Sequence, residues 1–172
     1  MPDARLADGH LAVARRLAKT KQPSQSEIRR SISSSYYAVF HALARTCANS
    51  LVGKSPSKRP NKAWVEVYRG LNHGVCEKAC RQASKVNFPQ TIIDFADAFS
   101  QLQEHRHKAD YDPNAEFQKS DALQWFGLAQ TSVANLRASS SVDKRAFAAW
   151  VLISSPGARN AREPVLNKKK TD

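Results

Sequence analysis

The sequence predicts an all-α protein: a four- to five-helix up-and-down bundle with an extra short C-terminal helix and a disordered basic tail. Three observations predict it. Ile28, Ile32, Tyr36, Val39, Leu43 and Cys47 recur at steps of three and four, the spacing that returns side chains to one helical face. No segment alternates apolar and polar residues between turn signals, as a half-buried strand requires. Pro, Gly and Ser punctuate the helical stretches closely enough to make consecutive helices antiparallel neighbours. With 172 residues one domain is expected, residues 1–154 forming the bundle and 155–172 the tail.

Asp3 to Lys21 reads as a first helix with a narrow stripe of Leu6, Val13 and Leu17, and with Arg15, Arg16, Lys19 and Lys21 turned mostly outward. Pro23 ends it. Ser24 and Glu27 then have the S-x-x-E form of a capping box, opening a second helix from Gln25 to Leu51 that serves as the spine. Its Ser33, Ser34, Ser35, Ala38, Ala42 and Ala44 are small enough for neighbouring helices to approach closely. His41 reads as a satisfied core or rim histidine. Gly53 to Pro60 is a basic loop, and its Gly-Lys-Ser lacks the glycine spacing and preceding strand of a phosphate-cradling loop.

Lys62 to Lys85 is helical, interrupted near Gly70 to Gly74, with Asn72 a candidate cap. His73, Cys76 and Cys80 share a face there, but no second Cys/His pair completes a zinc set, so no metal is assigned. Pro89 to Tyr111 follows, then Lys119 to Ala138, with Ser120 as its cap and Leu123, Phe126, Val133 and Leu136 in its core. A last short helix, Val142 to Ser154, carries Phe147, Trp150, Val151, Leu152 and Ile153 and must pack on the domain or on a second copy.

The chemistry concentrates at the end of the helix that begins at Pro89. His105 to Tyr111 holds two imidazoles, a guanidinium, a carboxylate and a phenol. Arg106 and Asp110 fall on one helical line, and His107 and Tyr111 on the adjacent one. Lys and Arg number 27 against 15 Asp and Glu, a formal net charge of +12, so a polyanion is the natural partner and nucleic acid the first candidate. Lys54, Lys58 and Arg59 of the basic loop, with Lys168, Lys169 and Lys170 of the tail, are the expected phosphate contacts. No apolar run is long enough to cross a bilayer and no signal peptide is legible, so a cytoplasmic location is expected, with Cys47, Cys76 and Cys80 reduced.

Two patches carry a family resemblance. Ser35-Tyr36-Tyr37-Ala38-Val39-Phe40-His41 resembles the A/S-Y-Y-A-x-F-H segment of the HEPN domain family, and Arg106 to Tyr111 resembles the R-x-x-A-D-Y segment that closes the fourth helix in one subgroup. His73 falls where that subgroup carries a histidine between the two. The resemblance implies a helical bundle forming a homodimer, with the motifs of both subunits meeting in a cleft. It also implies a metal-independent, cofactor-free endoribonuclease, in some members the toxin paired with a nucleotidyltransferase-type antitoxin. Arg106, His107 or His73, Asp110 and Tyr111 would then be the catalytic residues. The family's nuclease signature is an Arg, four to six intervening residues and then a His, and in this chain Tyr111 stands there instead. That departure keeps a second reading open, a non-catalytic module that binds RNA, a nucleotide or a partner protein.

Overall fold

The computed structural model describes residues 5–153, and these form seven helices with no strand among them. They are α1 (Leu6–Ala18), α2 (Gln25–Val52), α3 (Asn61–Gly70), α4 (His73–Ala83), α5 (Gln90–Tyr111), α6 (Lys119–Ala138) and α7 (Ser141–Leu152). The tail with Lys168, Lys169 and Lys170 lies outside the described residues.

The spine is α2, which contacts α1, α3, α5, α6 and α7. Cross-helix bonds fix the directions. Ser31 on α2 meets Ala14 on α1, while His10 sits beside Tyr37 and His41, so α1 and α2 run antiparallel. Arg29 reaches Ala109 whereas Tyr36 reaches Gln103, so α2 and α5 are antiparallel too. His105 stacks on Trp125 while Ser139 reaches Thr91, which sets α6 against α5 in the same sense. The four long helices thus alternate in direction. The shorter α3 and α4 are inserted between α2 and α5.

Small residues on α2 permit the close packing that the sequence suggests. Ser31, Ser33, Ser34 and Ser35 are all buried, and Ser31 Oγ donates to Ala14 O at 2.8 Å. On α1 the buried line is therefore Ala7, Ala14 and Ala18, while the expected stripe of Leu6, Val13 and Leu17 is only half-buried. Alanines take the line of contact because a bulkier side chain would hold the backbones apart. Ser24 and Glu27 form the expected capping box, and Asn72 Oδ1 accepts from the amides of Gly74 and Val75 to open α4.

Two expectations for α6 are corrected. Its cap is Gln118 rather than Ser120, with the Gln118 amide donating to Asp121 Oδ2 at 2.6 Å. The start is set by tertiary contact: Phe117 is buried, and its backbone carbonyl and amide are both held by the Gln25 side chain. Leu123 is exposed, because the packed face runs through Ala122, Trp125, Phe126, Ala129 and Val133. The last helix packs on its own domain, burying Phe147, Trp150 and Val151, with Trp150 Nε1 donating to Ala79 O at 2.9 Å. Ile153 lies past its end and is exposed. Among the described residues no helix is long and apolar enough to cross a membrane.

Candidate functional site

The end of α5 is anchored before it can present any chemistry. Arg29, from α2, donates through Nη1 to Ala109 O and Asp112 O, each at 2.9 Å, and through Nη2 to Ala115 O. The last carbonyls of a helix lack intrahelical partners, so this guanidinium completes α5 and complements the negative end of its dipole. Ser33 Oγ donates to Asp110 Oδ1, tying the carboxylate to α2.

Arg106 lies at the centre of the resulting cluster. Its side chain is 15% exposed, Nη2 donates to Tyr37 OH at 3.0 Å, and Nε lies 2.8 Å from Asp110 Oδ2. The Nε contact is an ion pair without hydrogen-bond alignment, so this buried N–H has no acceptor. The guanidinium carbon lies 5.5–5.6 Å from the ring centroids of Tyr36, Tyr37 and Tyr111, within cation–π range. Burial pulls the Arg106 pKa down, but the Tyr37 hydrogen bond and the charge of Asp110 outweigh it and raise the pKa above its ordinary value. The side chain stays a cation.

His73 approaches the same tyrosine pair from the start of α4. It stacks on Phe40 with centroids 4.0 Å apart, and its Nδ1 lies 2.5 Å from Tyr36 OH. Beyond Tyr36 the contacts continue to α5 and α4. Gln103 Nε2 donates to Glu77 Oε2 at 3.2 Å, which fixes the amide orientation because a carboxylate only accepts. Gln103 Oε1 then faces Tyr36 OH as an acceptor, at 3.4 Å. With the Tyr36 proton on Gln103 the phenol accepts from His73 Nδ1–H and a lone pair stays on His73 Nε2; with that proton on His73 Nδ1, Nε2 carries the ring hydrogen instead. Burial, followed by the charge of Arg106, lowers the His73 pKa and favours this neutral ring.

The remaining residues predicted for the site are placed differently. His107 and Tyr111 are exposed, their rings 5.0 Å apart near the end of α5. Arg106, His107, Gln103 and Glu77 line a groove of about 260 Å³ between α4 and α5. Cys76 and Cys80 are buried, burial pushing the Cys76 thiol up to about 12 and the Cys80 thiol well above its ordinary value, while His73 is held by Tyr36. Among the described residues no group of three His, Cys, Asp or Glu is placed to hold a metal ion.

In the basic loop Lys54 and Lys58 are exposed, but Arg59 is turned inward. Its guanidinium lies 4.2 Å from the Trp64 ring and donates to Asn61, Asn49 and the carbonyls of Gly53 and Lys54. The fixed fork of five donors suits Arg59 to bracing this loop.

Several participants do not stand out in the sequence. Tyr36 reads there as one more position on the α2 stripe, and nothing in the sequence singles out Gln103 or Glu77. His10 is a second case: it stacks on His41 at 5.1 Å and leans on Tyr37 at 5.5 Å. His41 behaves as the expected rim histidine, its Nδ1 2.8 Å from Tyr68 OH. Only the Y-Y-A-x-F-H segment signalled that this face of α2 carries more than core. No protein-family model matches the chain, and no curated protein or solved structure is significantly similar to it.

Proposed function

We propose that the cluster of His73, Arg106 and His107, at and beside the groove between α4 and α5, binds and cleaves single-stranded RNA without a metal ion. The supporting observation is the Glu77–Gln103–Tyr36–His73 chain: with Tyr36 donating to Gln103, His73 keeps an unprotonated Nε2 within the field of Arg106. In this reading His73 Nε2 takes the proton from a ribose 2′-hydroxyl. The 2′-oxygen attacks the adjacent phosphorus, the bond from phosphorus to the 5′-oxygen breaks, and His107 returns a proton to that leaving oxygen. The products are a 2′,3′-cyclic phosphate and a free 5′-hydroxyl. Arg106 opposes the charge that builds on the non-bridging oxygens, with Asp110 and Ser33 holding it in place and Tyr111 donating to phosphate. The HEPN resemblance supports the same chemistry in a cytoplasmic homodimer, with a nucleotidyltransferase-type partner as antitoxin.

The alternative is a binding module in which Arg106 is structural. The observation favouring it is the enclosure of that guanidinium by three tyrosine rings and Asp110. The two readings separate in one experiment: single-stranded RNA incubated with pure protein in excess chelator, with fragment ends analysed for cyclic phosphate. Cleavage is expected, with His73→Ala and His107→Ala each slowing it by about a hundred- to ten-thousand-fold, the usual cost of a lost general acid or base. For wild type the rate should hold as pH falls through the ordinary imidazole value of ~6.5 and decline only below it, where the lowered His73 becomes protonated. RNA that stays intact, with Arg106→Ala chiefly lowering the melting temperature, would leave the binding module as the function.

A further inference from the structure

A cavity of about 470 Å³ opens where α2 meets α6 and α7, and the groove between α4 and α5 shares none of its lining. Five cationic side chains line it: Arg45 from α2, Lys54 from the loop after it, Arg137 from the end of α6, and Lys144 and Arg145 from α7. Its lining includes no Asp or Glu. Asp8 pairs with Arg137 at 2.7 Å. So many positive groups around one cavity repel one another, and a bound anion relieves that repulsion.

Thr46 spends its hydroxyl hydrogen on Ala42 O at 2.9 Å, but other polar groups between these cations keep donors. Asn49 commits its side-chain oxygen to Trp64 Nε1 at 2.9 Å and to Arg59 at 3.4 Å, so it has its two amide hydrogens to offer. Lys144 spends one ammonium hydrogen on Arg137 O at 2.9 Å and keeps two. Ser141, at the first position of α7, adds a backbone amide that the helix does not use. A ligand with many acceptor oxygens fits this lining.

Size and shape narrow the class. The volume falls in the range of small-molecule sites, roughly 300–1,000 Å³, and far exceeds what one phosphate fills. No aromatic side chain lines the cavity, so nothing there is built to stack on a base. We propose that this cavity is a binding site for a linear oligophosphate chain, carried by a nucleoside polyphosphate or by inorganic polyphosphate, and separate from the Arg106 groove.

Isothermal titration of the full chain tests this with sodium tripolyphosphate, ATP, adenosine and a short single-stranded RNA, using sulfate at matched ionic strength as the control. Tripolyphosphate and ATP are expected to bind at one site and displace each other, while adenosine and sulfate do not compete. Tighter binding of ATP would assign the nucleoside source, and equal binding the inorganic one. The double variant Arg45→Gln/Arg145→Gln should weaken both ligands by at least about tenfold, since each lost charge-assisted hydrogen bond is worth that much. Arg106→Ala should leave both affinities unchanged. If the Arg45 substitution disturbs folding by circular dichroism, Lys54→Gln/Arg145→Gln at two exposed positions carries the same expectation. The proposal is overturned if tripolyphosphate does not saturate, if adenosine or sulfate competes, or if only RNA binds. It also fails if Arg106→Ala weakens binding as much as the cavity variants do.

Discussion

Burial lowers the His41 pKa to about 4, with the charges of His10 and His73 adding to the shift. In the unfolded chain an imidazole titrates near ~6.5, so between these two values the unfolded state binds more protons and stability rises with pH. That contribution is complete above the unfolded value and is lost as pH falls through the folded one. Because the ring is half-exposed, solvent screening cuts its worth to about 1–2 kcal/mol. His41→Gln should therefore flatten the fall in urea midpoint between pH ~6.5 and ~4, with His10 and His73, both also lowered by burial, carrying what remains. Identical slopes for variant and wild type would show that His41 protonates freely in the folded protein. At this scale the sequence reveals some contacts and hides others. Arg106 and Asp110 are four residues apart on one helix, and such pairing follows from helical geometry alone. The His73–Tyr36–Gln103 links join three different helices, and no local pattern encodes them. Leu123 shows the opposite error: an apolar residue in a helical stretch looked like core until packing chose the neighbouring face.

Helix ends divide in the same way between local and tertiary causes. The Ser24–Glu27 box and the Asn72 cap can be read from a few adjacent residues because the bonds close within three positions. The C-terminal end of α5 cannot, because its carbonyls are satisfied by Arg29, 80 or more residues away in the chain. Removing that guanidinium leaves part-buried carbonyls without a donor, at about 1–3 kcal/mol for the lost charged hydrogen bonds. Arg29→Ala is thus expected to lower stability by that amount and to speed amide exchange across residues 109–117, while the exposed neighbour Arg30→Ala stays within about 0.5 kcal/mol of wild type. Exchange that is unchanged in this segment would mean that α5 ends securely without the arginine. Since Asp110 and Tyr111 occupy this last turn, Arg29→Ala should also weaken RNA binding if the α4–α5 groove is the site.

Charge and packing act together on the molecule as a whole. The small residues of α2, which in sequence suggest a face for close helix approach, are buried against α1, α5 and α6 within a single protomer. A homodimer of the kind the family resemblance implies must therefore use other surfaces, and sedimentation across micromolar concentrations would reveal whether one forms. The net charge of +12 makes a more direct prediction. If RNA is bound through its backbone, each lysine that neutralises a phosphate releases a counterion, so affinity falls with salt and removing one such lysine lowers the log–log slope by about 0.7 for a single strand. Lys58 is exposed and Arg59 is enclosed by Trp64 and four acceptors, so these adjacent cations should behave differently. Lys58→Ala is expected to lower the slope and leave the melting temperature alone, whereas Arg59→Ala should lower the melting temperature by loosening the loop and barely change the slope. A chain ending at residue 154 would in the same way lose the share contributed by Lys168, Lys169 and Lys170. If Arg59→Ala reduced the slope as much as Lys58→Ala without any loss of stability, the inward bracing of Arg59 would not persist in the RNA complex, and the whole loop would have to swing out to meet the phosphates.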